Sequence, residues 1–181
     1  MHRPLSTRLC GPRKSHVLRL GILLHINWLA VVACAAQGFV WLAALLSILT
    51  TLLALRMDPG CSLRMGAVAL FVGIAGDGAV VALGGLEFTT GVQFLPVPFW
   101  MGGLWLAFGT TLPVFASFFT RRMWIAPLLG VLGGVGAYTS ASSFGAVDIG
   151  SAGRVTMVAT VGLMWGLVFP LLVHLSKGTS R

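Results

Sequence analysis

Few side chains in this sequence could do chemistry, and one of them sits where charge is costly. Asp77 lies in the run Gly73 to Phe88, GIAGDGAVVALGGLEF, which is otherwise almost entirely glycine and aliphatic. An ionisable group inside such a segment marks a functional site by default, because water is not there to solvate it. Three kinds of chemistry suit it: exchange of a proton or cation, a hydrogen bond to a lipid group, or acid–base work with a nearby hydroxyl. Tyr138, the single tyrosine, stands in a second glycine-rich stretch and is the natural partner.

Other chemistries lack their residues. Ser140, Ser142 and Ser143 follow Tyr138, but no base stands at helical spacing beside them. There is no G-x-S-x-G, no P-loop and no H-E-x-x-H. The glycine run Gly130 to Gly136 follows no strand and lies inside an apolar segment, so it is not a nucleotide loop. Cys10, Cys34 and Cys61 are scattered and odd in number, which argues against a disulfide framework or a zinc site. His25 is the only histidine well inside an apolar segment, so a bis-histidine haem has no second ligand at its depth. No metal and no cofactor is expected, and no residue is assigned as catalytic.

Composition decides the solvent. The chain has 181 residues, 57% hydrophobic and 9% charged, with a mean hydropathy of +0.95. Soluble domains are about a quarter charged, and a folded chain of this length cannot hide so much apolar surface from water. The apolar runs are continuous and about twenty residues long, which suits helices crossing the ~30 Å hydrocarbon layer and not alternating barrel strands. The net charge of +8 sits in clusters between these runs. That is an orientation signal and gives no reason to invoke nucleic acid.

Six spans are expected: 17–36, 38–55, 63–84, 97–119, 124–146 and 155–175. They give an all-α polytopic bundle of six transmembrane helices, organised as a basic tail (1–16), a six-span membrane domain (17–176) and a short C-terminus (177–181). Of the twelve lysines and arginines, only Arg154 falls on the side of Glu87 and Asp148. The positive-inside rule then places both termini in the cytoplasm. A start resembling a lipoprotein signal, with Cys34 at the cleavage point, is spoiled by His25 and Asn27 and by the immediate second span.

At 1.5 Å per residue from the cytoplasmic face, His25 lies at ~12 Å, Asn27 at ~15 Å, Trp105 at ~18 Å, Asp77 at ~20 Å and Tyr138 at ~22 Å. Four spans thus contribute polar groups to one slab. The candidate site is an intramembrane polar pocket of Asp77, Tyr138, Trp105, Asn27 and His25, roofed by Trp100, Glu87 and Phe88. The structural alternative, which weighs more, is a polar contact that locks the bundle. Trp41, Trp100 and Trp124 read as interfacial anchors, and Trp28, Trp105 and Trp165 as packing. The glycine pairs Gly130/Gly134 and Gly162/Gly166 suit close helix approach. Gly73, Gly76 and Gly78 echo Gly130, Gly133 and Gly136, which a common need for small residues explains more simply than duplication.

Several of these positions form a pattern. Asp77, Leu86, Phe88, Pro98, Trp100, Trp105, Phe108, Leu112 and Ser117, followed by Gly130, Gly133, Gly134, Tyr138, Gly145 and Ala146, resemble the bacterial inner-membrane family called domain of unknown function 2878. Trp28 matches a tryptophan of its first span, while Val135 stands where that family tends to have proline. The resemblance implies a small multi-span protein without an assigned activity, associated with fatty-acid-modifying enzymes such as cyclopropane-fatty-acid synthase. The function expected is therefore an accessory or lipid-handling membrane protein, with membrane lipids, a membrane protein partner or a second copy as partners. Two other readings fit the same residues: a small transporter or channel using Asp77, and a lipid-modifying enzyme using Asp77 and Tyr138 as acid–base pair.

Overall fold

A computed structural model describes residues 14–56, 59–88, 90, 97–119 and 122–178. They form six helices: α1 (Lys14–Ala36), α2 (Val40–Leu55), α3 (Pro59–Ala82), α4 (Phe99–Ala116), α5 (Ala126–Phe144) and α6 (Gly153–Gly178). Two short strands, β1 (Leu86–Glu87) and β2 (Asp148–Ile149), pair antiparallel, Glu87 opposite Asp148. Most of the expected tail, residues 1–13, and residues 179–181 lie outside the described residues. So do Arg121 and Asp58.

The protein is all-α with multi-pass membrane character. α1, α3, α5 and α6 are long and apolar enough to cross a membrane, whereas α2 and α4 are shorter apolar helices. Both fall short of the sequence expectation for local reasons. α2 starts only after Gly38, whose φ of +80° ends the preceding turn. α4 starts at Phe99 with Pro98 at its cap, where a missing N–H costs nothing; the Pro98 carbonyl accepts the first N–H groups, from Met101 and Gly102.

The side chains of α2 face the wrong way for water. Ser47, Thr50 and Thr51 are buried, with Ala43 and Ala54, while Leu42, Leu45, Ile48, Leu49, Leu52 and Leu53 are exposed. Small and hydroxylated residues toward the neighbours and leucines outward is the arrangement of a helix in lipid. Two of these hydroxyls are satisfied within the helix, Ser47 Oγ donating to the Ala43 carbonyl and Thr51 Oγ1 to that of Ser47.

α4 is the central helix and packs on α1, α2, α3 and α6. α5 lies outside, packed along α6 and only brushing α1. Glycines set the close approaches. A Cβ at Gly109 would run into Ala69 and the Met65 carbonyl, which welds α4 to α3; a Cβ at Gly130 would run into the Trp165 backbone, which welds α5 to α6.

Candidate functional site

Asp77 is fully buried near the middle of the fold. The Trp105 indole Nε1–H of α4 donates to its Oδ2 at 2.7 Å, and the Tyr138 hydroxyl of α5 donates to its Oδ1. Both carboxyl oxygens therefore have a donor, which a buried polar group requires. Trp105 and Tyr138 are themselves almost completely buried.

The backbone makes room for this cluster. A Cβ at Gly73, one turn before Asp77, would strike the Trp105 ring, and a Cβ at Gly134, one turn before Tyr138, would strike the Trp165 ring. The two indoles stack on each other, with centroids 4.7 Å apart and planes at 18°. Phe108 stands edge-on to both. Trp165 was expected only as packing, yet it completes the aromatic wall. Its buried Nε1–H makes no hydrogen bond of normal geometry, although it lies close enough to the Tyr138 hydroxyl to interact with it.

The other expected pocket residues are dispersed. His25 is exposed, and its Nδ1–H donates to the Gly21 carbonyl at 2.8 Å one turn back. Neutral His25 therefore keeps its lone pair on Nε2. Asn27 is buried at 4% exposure, and neither side-chain amide atom has a partner among the described residues. Trp100 is fully buried; its Nε1–H donates to the Thr90 carbonyl at 3.2 Å, and its ring meets Phe88 edge-to-face. Glu87 is exposed on β1 beside Asp148. Of the seven candidates, the structure joins Asp77, Trp105 and Tyr138 by hydrogen bonds and leaves the other four outside that network.

A cleft of about 480 Å³ runs between α1 and α5, with α4 and α6 beneath. Leu24, His25, Trp28 and Val32 form the α1 wall, and Gly133, Gly136 and Ala137 the α5 wall. Trp105, Phe108, Trp165 and Phe169 form the floor. Tyr138 also reaches it, but Asp77 lies behind Tyr138 and Trp105 and does not line it. A Cβ added at Gly133 or Gly136 would meet nothing within 4 Å. A second cavity of about 300 Å³ between α3 and α4, beside Leu70, Ile74, Phe99 and Leu106, carries no ionisable side chain.

The chemistry available is that of binding. Aromatic faces and small residues line the cleft, and His25 and Tyr138 are the ionisable side chains on its walls. Ser140 and Ser143 donate to the carbonyls of Gly136 and Thr139 in their own helix, so neither is presented to a base. Among the described residues no three of His, Cys, Asp and Glu come together as a metal site.

No curated protein and no solved structure matches the chain. One family model does, over residues 18–171, a stretch that takes in all of the cleft and the Asp77 cluster. The chain belongs to the family described as Protein of unknown function (DUF2878).

Proposed function

We propose that the protein is a six-span bacterial inner-membrane protein, both termini cytoplasmic, that takes one acyl chain of a membrane lipid into the cleft between α1 and α5. In this reading it is an accessory to membrane fatty-acid modification. The shape of the cleft is the observation that carries the proposal. It extends from Leu129 to Ala141 along α5, roughly 18 Å at 1.5 Å per residue. With a volume of about 480 Å³ and walls of aromatic faces and glycines, it is long and apolar. The space suits a single extended chain entering from the side.

Two further observations support the topology. Pairing of β1 with β2 brings together the loops after α3 and α5, as alternation of the spans requires. The outward leucines of α2 suit a short helix surrounded by lipid and tilted little. A transporter needs an aqueous path to Asp77, and the carboxyl is sealed behind Trp105 and Tyr138; a lipid cleft needs none.

Native mass spectrometry of the protein in mild detergent tests this. The wild type should retain one lipid or fatty-acid adduct per chain. Gly133→Leu combined with Gly136→Leu fills open space and should lower the retained fraction several-fold without lowering the melting temperature. Equal retention by both proteins would contradict the proposal.

A further inference from the structure

Residues 61 positions apart in α3 and α5 do the same things. Gly73 seats the Trp105 ring and Gly134 the Trp165 ring. One turn later come Asp77 and Tyr138, bonded to each other. Both helices then end in the same hydrogen-bond motif about a left-handed glycine, Gly84 (φ +71°) and Gly145 (φ +81°). The Gly84 and Gly85 N–H groups donate to the Val81 and Val80 carbonyls; those of Gly145 and Ala146 donate to Ser142 and Ala141. Apart from the two seated rings, every one of these positions keeps the same spacing, and so do Glu87 and Asp148 on β1 and β2. The glycine echo noted in the sequence uses a different spacing, and the structure gives it no common role: Gly133 and Gly136 face open space, whereas Gly76 meets Met164.

The mates also touch one another. Under two-fold symmetry a residue meets its own mate only close to the axis. Glu87 lies opposite Asp148, Asp77 bonds Tyr138, and Phe108 meets Phe169 at 6.2 Å. Trp105 stacks on Trp165, one residue out of step. These four contacts come from the loop end, the middle and the far half of the spans, so the axis runs along the bundle. Two helices that were merely rich in small residues would have no reason to set mate against mate.

We infer that α3–α4 and α5–α6 are two copies of one hairpin related by a pseudo-two-fold axis, and that α5–α6 moves as a body against α1–α4 to open and close the cleft, with the Asp77–Tyr138 bond as its clasp. Three features support the movement. Each hairpin is welded internally by its glycine contacts, whereas the joint between them combines the stacked faces of Trp105 and Trp165 and the Phe108–Phe169 contact with the flexible Met164 side chain over Gly76. Both bodies wall the cleft, Trp28 and Trp105 from one, Gly136 and Trp165 from the other. The β1–β2 pair ties the bodies at one end, which supplies a pivot, and the chain between α4 and α5 joins them at the other. Parting Tyr138 from Asp77 would give the cleft a carboxyl group that the closed form hides. Repeats related by an axis along the membrane normal rock in this way around sites at their interface.

The inference shares the cleft with the proposed function but not its cargo. Its test is a distance measurement between spin labels at Ile26→Cys on α1 and Leu132→Cys on α5, both exposed positions, with Cys10, Cys34 and Cys61 replaced by alanine. Leu29→Cys with Leu49→Cys, within one body, is the control. In bilayers the α1–α5 distribution should be broader than the control. Tyr138→Phe should shift it to longer distance and leave the control unchanged. An α1–α5 distribution as narrow as the control overturns the inference from the otherwise wild-type chain alone, even if Tyr138→Phe does not fold. Equal broadening of both pairs by Tyr138→Phe also overturns it, since that is general loosening. Absence of a lipid adduct alongside the expected distances overturns the acyl-chain reading and not the movement.

Discussion

Trp105 and Tyr138 ask different things of Asp77. An indole N–H can only donate, while a phenol can donate or accept. Asp77→Asn keeps one acceptor oxygen but turns an NH₂ toward one of the two donors. Tyr138→Phe leaves a buried carboxyl oxygen without its partner, which should cost about 1–3 kcal/mol. We expect both variants to melt at lower temperature in detergent, and a double-mutant cycle between them to show a coupling of about 0.5–3 kcal/mol, as for groups in one network. His25→Ala, at an exposed site bonded only to its own helix, should change stability by less than ~0.5 kcal/mol. A cycle with no coupling would mean that the two side chains do not act together. The common depth of these groups was legible in the sequence because depth is linear in residue number. Which of them meet was not, because rotation about each helix axis is decided by packing. His25, Asn27 and Tyr138 were expected in one slab, yet of the three only Tyr138 bonds Asp77.

At the scale of elements, the glycines separate into seats and openings. Gly73→Ala and Gly134→Ala push a methyl group into an indole, and overpacking of this kind costs about 1–3 kcal/mol. Gly136→Ala points into open cleft and should be neutral or slightly stabilising, since alanine is the better helix former. Thermal melts of the three variants decide the matter, and equal losses in all three would remove the distinction. Helix number and type were legible from the length of the apolar runs. The ends of α2 and α4 were displaced by Gly38 and Pro98, which act through backbone geometry and leave no trace in hydropathy. The partners of Gly130 and Gly134 were equally hidden, since a glycine pair announces a close approach but not the helix that makes it.

For the whole molecule, topology and cleft stand or fall separately. Six spans with cytoplasmic termini require that cysteines at positions 87 and 148, on the exposed faces of β1 and β2, react with an impermeant maleimide added outside spheroplasts. A cysteine replacing Arg122, between α4 and α5, should react only after lysis. Reaction of all three from the same side would contradict the span count. The positive clusters on which this expected orientation rests are the clearest charge pattern in the sequence. The cleft was invisible there, because it exists only where α1 and α5 fail to pack.

The central claim is that this cleft holds an acyl chain. Its most direct measurement is photo-crosslinking in cells fed a fatty acid with a photoactivatable group in the middle of its chain, followed by mapping of the modified peptides. The account predicts label on the cleft walls, in the segments 24–32 and 129–141, and its loss when Gly133→Leu and Gly136→Leu are combined. Label spread evenly over the lipid-facing leucines of α2 and α6, unchanged in the filled variant, would contradict it.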